Sequence, residues 1–128
     1  MKIRPEYLEM VADKVRGYLY HGAKDLVAVT FKGDWVIYES GFLVQTSTLS
    51  WKVERAKLES RSEELEETIK NIISFCSGDS MMGVKIAKDE SGVNLRIIHW
   101  FETEFEARTV ADARDQKFIW DCKLKKYV

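Results

Sequence analysis

A chain of 128 residues is close to the commonest size for a single folded domain, and its 45% apolar content is sufficient for one hydrophobic core. The 20 basic and 21 acidic residues leave a net charge of −1, which argues against a protein that coats duplex nucleic acid by bulk attraction and against an acidic mimic of nucleic acid. We therefore expect one domain over residues 1–128, in which any charged patch is local.

Several features of the sequence bear on the compartment in which the protein works. No run approaches the roughly 20 consecutive apolar residues that cross a bilayer, and Met1–Glu6 lacks the apolar core of a secretion signal. Cys76 and Cys122 are far apart and show no metal-ligand spacing, which is typical of free thiols in a reducing compartment. These features predict a cytoplasmic protein without a membrane segment.

The first helix is predicted over residues 5–20. Apolar residues recur there every three or four positions, Pro5 suits the first turn, and Gly22 provides a stop signal. His21 falls at the end of this helix, where a cation meets the helix dipole favourably, so we expect a capping or surface role for it.

A strand is predicted over residues 25–32, where apolar and polar side chains alternate. Gly33–Asp34 is typical of a two-residue hairpin loop, which would pair Lys32 with Trp35. The sequence therefore predicts a tight hairpin at this point.

The alternation continues beyond Ser40–Gly41, although this dipeptide leaves a bulge or a break open. A further turn near Ser47 would return the chain along residues 49–57. This register places nine apolar side chains on one core-facing side of a sheet. They are Val27, Val29, Phe31, Val36, Tyr38, Phe42, Val44, Trp51 and Val53.

A second helix is predicted to begin at Ser60, because Ser60 and Glu63 have the spacing of a capping box. An apolar stripe follows at helical spacing, and Gly78 provides the stop. The stripe consists of Leu65, Ile69, Ile72 and Cys76. Residues 82–88 and 93–101 then predict a hairpin joined by Asp89–Gly92.

Two alternatives remain open for residues 103–114. In the first, which we favour, the strand alternation continues to a turn near residue 111, and the chain returns along residues 116–127. In the second, Thr103 and Glu106 cap a helix.

The order of elements predicts the fold class. The order is α-β-β-β-α-β-β-β, so the two halves have the same order of elements and form a possible pseudo-repeat. Their residues are not similar, so the sequence does not demonstrate a duplication. We expect an α+β fold with a six-stranded, mainly antiparallel sheet and two helices on one face.

Sequence motifs of catalysis and cofactor binding are absent, so we predict no catalytic residue, no metal and no cofactor. His99 lies near Glu102 and Glu104, but on a strand these carboxylates would point to the face opposite the imidazole. A helix beyond residue 101 would relax that objection. A concave pocket with convergent polar groups around His99 would instead indicate an enzyme.

The face turned away from the predicted core is the feature that points to a function. Two tryptophans on an exposed sheet face form a more apolar cluster than an ordinary surface carries. Lys32 and Lys52 lie nearby. The predicted binding face consists of Trp35, Ile37, Leu43, Met81, Lys85, Arg96, Ile98, Trp100, Lys123, Lys125 and Tyr127.

Three interpretations of this face compete. We favour a non-catalytic protein-interaction module that associates through the face, as a homodimer, because aromatic residues, Met and Arg are enriched in such contacts. Alternatively, a loop, the C-terminal segment or sheet curvature covers the face and makes it a second small core. In the third interpretation the face binds single-stranded nucleic acid.

The nucleic-acid interpretation assigns a role to each kind of side chain. Trp100 and Tyr127 would stack on unpaired bases while the basic residues hold phosphates. Glu102, Glu104 and Asp121 weigh against it, because on the same face they would repel phosphates.

Overall fold

The computed structural model describes residues 3–18, 25–60 and 63–128. These ranges form an α+β fold with four helices and a seven-stranded antiparallel sheet, so the predicted class is confirmed, with seven strands rather than six. No helix within them has the length and apolar character needed to span a membrane. The helices are α1 (Pro5–Tyr18), α2 (Arg55–Glu59), α3 (Glu64–Ile73) and α4 (Glu104–Ala113). The strands are β1 (Val27–Val29), β2 (Trp35–Val36), β3 (Phe42–Glu54), β4 (Met81–Ile86), β5 (Gly92–Phe101), β6 (Trp120–Asp121) and β7 (Lys126–Tyr127), in the spatial order β2-β1-β4-β5-β3-β6-β7.

The helices α1 and α3 cover one face of the sheet. Their apolar stripes pack with side chains of β1, β3, β4 and β5 in the main core. In the predicted stripe of α3, Leu65, Ile69 and Ile72 are fully buried, and Cys76 beyond its end is half-buried. Burial of this stripe supplies the apolar contact that an amphipathic helix needs.

The predicted helix boundaries are correct only in part. The first helix begins at Pro5 as expected, whereas its last predicted residues, together with His21 and Gly22, lie outside the described ranges. Ser60 does not begin the next helix, because residues 55–59 already form α2 and Ser60 caps its C-terminal end. The N-cap position of α3 is occupied by Glu63.

The hairpin between β1 and β2 differs from the predicted one by three residues. Val29, rather than Lys32, lies opposite Trp35. Thr30 closes a longer loop, since its backbone N–H donates to the carbonyl of Asp34 at 2.9 Å. Its hydroxyl also accepts hydrogen bonds from the backbone N–H groups of Lys32 and Asp34. Because an odd shift moves side chains to the other face, Trp35 lies on the same face as Val29.

The predicted turn near Ser47 is wrong. β3 runs through this region without reversing and pairs with β5 on both sides of an irregularity between Gln45 and Ser50. The side chain of Gln45 donates hydrogen bonds to the carbonyls of Ser47 and Leu49. These local bonds stabilise an irregularity within β3, at the position where a hairpin turn was predicted.

The hairpin of β4 and β5 is confirmed. Its ladder extends from Met81 opposite Ile98 to Ile86 opposite Val93. In the loop, the carboxylate of Asp89 accepts hydrogen bonds from the backbone and the hydroxyl of Ser91.

Beyond β5 the helical alternative is correct and the favoured strand is wrong. α4 begins after Thr103, whose hydroxyl accepts a hydrogen bond from the backbone N–H of Glu106 at 3.2 Å. Ala107 and Ala111 are fully buried and pack with Val44 in a separate core cluster. Since α4 separates β5 from β6, the second half of the chain does not repeat the order of the first.

β6 and β7 form a short hairpin that curls over the sheet face opposite α1 and α3. β6 pairs with the start of β3, yet the ring of Tyr127 on β7 contacts Lys85 on β4, which lies on the far side of β5. Trp120 and Cys122 thereby join a second core together with Leu26, Ala28, Leu43, Met81 and Ile98. The sheet thus coils strongly enough to enclose apolar side chains on both faces.

Candidate functional site

Three apolar residues of the predicted binding face lie inside the second core. Leu43, Met81 and Ile98 are buried there beneath Trp120 and Cys122. These three side chains are therefore not available as a contact surface.

Trp35 does not share a surface with the rest of the predicted face, whereas Ile37 lines a small cavity together with Leu43 and Lys125. The ring of Trp35 packs 5.7 Å from that of Tyr18 on the helix-covered side, as the corrected register of β2 requires. Ile37 follows β2 and is 78% exposed. Of these two residues, only Trp35 is separated from Met81 and Ile98, because the register of β2 turns it to the helix-covered side.

Trp100 is half-buried and held by two contacts. It stacks on Tyr38 with ring centroids 5.2 Å apart, and its indole N–H donates to the carbonyl of Ser40 at 3.0 Å. Gly41 makes this position possible, because a Cβ atom there would lie 2.3 Å from the indole nitrogen and its φ of +85° disfavours any side chain.

Two basic residues of the predicted face, Lys85 and Arg96, are brought together with Lys52 at one end of the sheet. Lys85 on β4 and Lys52 on β3 both lie opposite Asn94 on the intervening β5. Arg96 follows Asn94 by two residues, so its side chain is on the same face. Lys88 lies just beyond the end of β4.

These residues line a groove of about 670 Å³ between the sheet and the C-terminal hairpin. Phe118 and Tyr127 provide its aromatic lining, and the ring of Phe118 is 63% exposed. Asp89 also lines the groove, with a carboxylate oxygen 3.8 Å from the ammonium of Lys52. We name this feature the basic groove and define it by Lys52, Lys85, Lys88, Asn94, Arg96, Phe118 and Tyr127.

Contacts with the aromatic rings position two of the cations. The ammonium of Lys85 lies 4.6 Å from the ring centroid of Tyr127 and 5.3 Å from that of Trp120, which are cation–π distances. Arg96 donates a hydrogen bond from Nη1 to the hydroxyl of Tyr127 at 2.9 Å. The hairpin of β6 and β7, which covers the second core, therefore also fixes the positions of Lys85 and Arg96 in the groove.

The groove concentrates positive charge. Burial lowers the pKa of Lys85, and the neighbouring positive charges of Arg96 and Lys88 lower it further, against a smaller opposing effect of Asp25. Nε of Arg96 is buried and has no hydrogen-bond partner among the described residues. The crowded like charges favour an anion at this place, because its negative charge would offset their mutual repulsion.

Lys123 and Lys125 lie outside the groove, in the exposed turn between β6 and β7. The carboxylate of Asp121 accepts the backbone N–H groups of Lys123 and Leu124, so this acid is engaged in closing the turn. Glu104 is on α4, at the far end of β5, where it pairs with Arg108.

The acidic residues that weighed against nucleic acid therefore do not face the groove. Glu102 lies six residues beyond Arg96, or about 20 Å along the direction of the strand.

Sequence reasoning missed three residues of the groove: Lys88, Asn94 and Phe118. Asn94 has the same strand parity as Arg96, and this signal was available in the sequence. Phe118 was hidden because the predicted strand over 116–127 gave it the core-facing parity of Trp120, whereas β6 begins only at Trp120 and leaves Phe118 exposed.

Cysteine and metal chemistry do not add a further site. Burial raises the pKa of Cys122 to about 11 and also raises that of Cys76, which disfavours the reactive thiolates. In the ranges that the structure describes, no three His, Cys, Asp or Glu side chains are arranged to hold a metal ion.

A second concave feature surrounds His99, whose ring is hydrogen-bonded to Ser80.

Comparisons of the chain with protein-family models, with curated proteins and with solved structures find no match.

Proposed function

We propose that the protein binds single-stranded nucleic acid along the basic groove. The observation that carries this proposal is the crowding of Lys85, Arg96 and Lys88 beside the exposed ring of Phe118. Cations that track the phosphates and an aromatic ring on which bases stack are the two components of single-strand binding.

The composition of the groove favours a single strand over a duplex. The ring of Phe118 can stack only on a base that is unpaired and turned outward. Asn94, between Lys52 and Lys85, offers an amide that can hydrogen-bond to the edge of such a base. A net charge of −1 also limits the attraction to a highly charged duplex.

The crowded positive charges of the groove indicate why an anion would bind there. Phosphate oxygens near Lys85 would relieve its repulsion by Arg96 and Lys88. The same oxygens could accept a charge-assisted hydrogen bond from the guanidinium of Arg96, which lines the groove.

The proposal is tested by fluorescence anisotropy with labelled oligo-dT and oligo-U of about twelve nucleotides, within the usual site size of a small domain. The informative variant is the pair Lys52→Glu and Lys88→Glu, because both side chains are exposed. Its matched control is the pair Lys57→Glu and Lys70→Glu, which makes the same change in charge on α2 and α3.

We expect the wild type to lose affinity with rising salt, with a slope of log K against log salt of about −2 to −3 for three or four phosphate contacts. The groove variant should bind at least about tenfold more weakly, and the magnitude of its slope should be smaller by about 1.4, because two phosphate contacts are lost. The control should retain a slope close to that of the wild type. Equal losses in both double variants, or no binding by the wild type, would refute the proposal.

Self-association is the second candidate function, and a different surface favours it. Phe75 is 56% exposed and lies 6.0 Å, between ring centroids, from the half-buried Trp51. Trp51 belongs to the part of β3 that pairs with β5, while the pairing of β3 with β6 is at Phe42 and Leu43. An exposed aromatic ring that packs on a half-buried tryptophan beside a strand edge is typical of a contact between proteins.

Light scattering tests this candidate. A dimer of the wild type that becomes a monomer in Phe75→Ser would support it, and Phe105→Ser, which changes an exposed ring on α4, is the control. A monomer at all micromolar concentrations and across salt conditions would exclude a homodimer.

A further inference from the structure

A cleft of about 770 Å³ lies at the other end of β5 from the basic groove. Its walls come from the segment leading into α1, from the loop between β1 and β2, and from the facing ends of β4 and β5. No residue of the basic groove lines it. Its volume is within the usual range for sites that bind small molecules.

A polar pair lies in this cleft, in which Ser80 is buried and His99 is half-buried. Ser80 is 7% exposed, and its hydroxyl oxygen lies 3.0 Å from Nε2 of His99. The same oxygen accepts a hydrogen bond from the backbone N–H of Ser77 at 3.1 Å, which fixes its position. His99 makes no further hydrogen bond to the described residues, so its other ring nitrogen can bond to a ligand.

Aromatic rings form much of the remaining lining. Tyr7, Phe31, Trp100 and Phe101 are half-buried there. Trp100 is held in place by its stacking on Tyr38. Rings that are only partly covered by the protein leave apolar surface for a planar molecule to cover.

The cleft also holds two cations from different elements. Arg4 precedes α1, Lys32 is in the loop between β1 and β2, and neither forms an ion pair with a described residue. Asp34 and Asp79 line the same cleft without contacting these cations at ion-pair distance. The acids limit the negative charge that a ligand can carry, while the cations offer a partner for one anionic group.

We propose that this cleft, which we name the His99 cleft, binds a small planar aromatic molecule that carries one negatively charged group. The aromatic lining packs on the ring, Arg4 and Lys32 pair with the anion, and Ser80 and His99 hydrogen-bond to a polar atom on the ring. This inference does not rest on the proposed function of the basic groove, because the two sites share no residue.

The test uses 6-hydroxy-2-naphthoate as the probe, with its ring hydroxyl as the polar atom, and 6-hydroxy-2-naphthamide as its uncharged match, each titrated into the full ¹⁵N-labelled chain. We expect saturable shifts of the backbone amides of Ser80, His99 and Trp100 with naphthoate, and an affinity for naphthamide lower by about tenfold. The pair Arg4→Gln and Lys32→Gln should weaken naphthoate binding by about the same factor and leave naphthamide binding unchanged. The matched control is the pair Lys57→Gln and Lys70→Gln, which removes the same charge from α2 and α3 and should bind as the wild type does.

Three results would overturn the inference. These are the absence of saturable shifts at millimolar probe, shifts confined to the amides of Asn94 and Arg96 in the basic groove, and an equal loss of affinity in the cleft variant and the control. Ser80→Ala provides an independent check, because it should weaken both probes without changing their charge preference. If the wild type does not bind oligonucleotides, the proposed function of the basic groove is refuted, and the test of the His99 cleft is unaffected.

Discussion

The guanidinium of Arg96 donates a hydrogen bond of 2.9 Å to the hydroxyl of Tyr127, which is 31 residues further along the chain. This contact joins β5 to β7 across the face of the sheet. It also links the closure of the second core to the arrangement of charge in the basic groove, since Tyr127 packs against that core and its ring lies beside Lys85.

Tyr127→Phe should destabilise the protein by about 1–2 kcal/mol, because it leaves Nη1 of Arg96 without its acceptor while keeping the ring. Urea unfolding followed by tryptophan fluorescence measures the change. Tyr7→Phe is the control, since the hydroxyl of Tyr7 bonds to no described residue, and it should change the free energy of unfolding by less than about 0.5 kcal/mol. Equal effects would contradict the assigned role of the Tyr127 hydroxyl.

Ile98→Ala and Ile37→Ala should differ sharply, although the sequence placed both side chains on one exposed face. Ile98 is 1% exposed in the second core and its truncation should cost about 2–5 kcal/mol. Ile37 is 78% exposed and its truncation should cost less than about 0.5 kcal/mol. Denaturant unfolding of both variants checks this, and similar small losses would show that the C-terminal hairpin does not cover the face.

Thr103→Ala should cost about 1 kcal/mol, because the hydroxyl caps the first turn of α4. Thr109→Ala in the same helix is the matched control. The hydroxyl of Thr109 only donates back to the carbonyl of Phe105, so its removal should be neutral or slightly stabilising. Thermal unfolding of the two variants gives the comparison, and a neutral Thr103→Ala would argue against the cap.

Stability should fall as the pH drops below about 6.5, in part because of His99. Burial lowers the pKa of His99 from its ordinary value of 6.5, Asp79 opposes this effect, and Arg114 adds to it. The unfolded chain therefore binds more protons than the folded chain between the folded pKa and 6.5. The stability that depends on neutral His99 is fully present above about pH 6.5 and is lost as the pH falls towards the folded pKa.

His99→Gln keeps a polar side chain but cannot titrate in this range. Urea unfolding at a series of pH values from about 5 to 7.5 should give a shallower dependence for His99→Gln than for the wild type. Parallel curves would contradict the lowered pKa.

The parts of the fold that the sequence predicts correctly depend on contacts between near neighbours. The stripe of Leu65, Ile69 and Ile72 follows from helical spacing alone. The hairpin of β4 and β5 follows from two alternating segments joined by Asp89–Gly92. For the candidate site, strand alternation placed Lys85 and Arg96 on one face, and the structure brings them together.

The errors arise where a side chain or a distant segment decides the outcome. The hydroxyl of Thr30 closes a longer loop than Gly33–Asp34 suggested, and the odd shift in register moves Trp35 to the other face. Gln45 stabilises a loop within a strand where a turn was expected. Trp120 covers the second core because the whole sheet coils. This coiling cannot be predicted from the local alternation of apolar and polar residues.

The position of the β6–β7 hairpin along the chain has a consequence for folding during synthesis. A ribosome has completed β3, β4 and β5 before it makes the two strands that shield them. Until the hairpin has been made and has docked, Leu43, Met81 and Ile98 lack the segment that covers them, and a folding intermediate without it would expose this apolar surface.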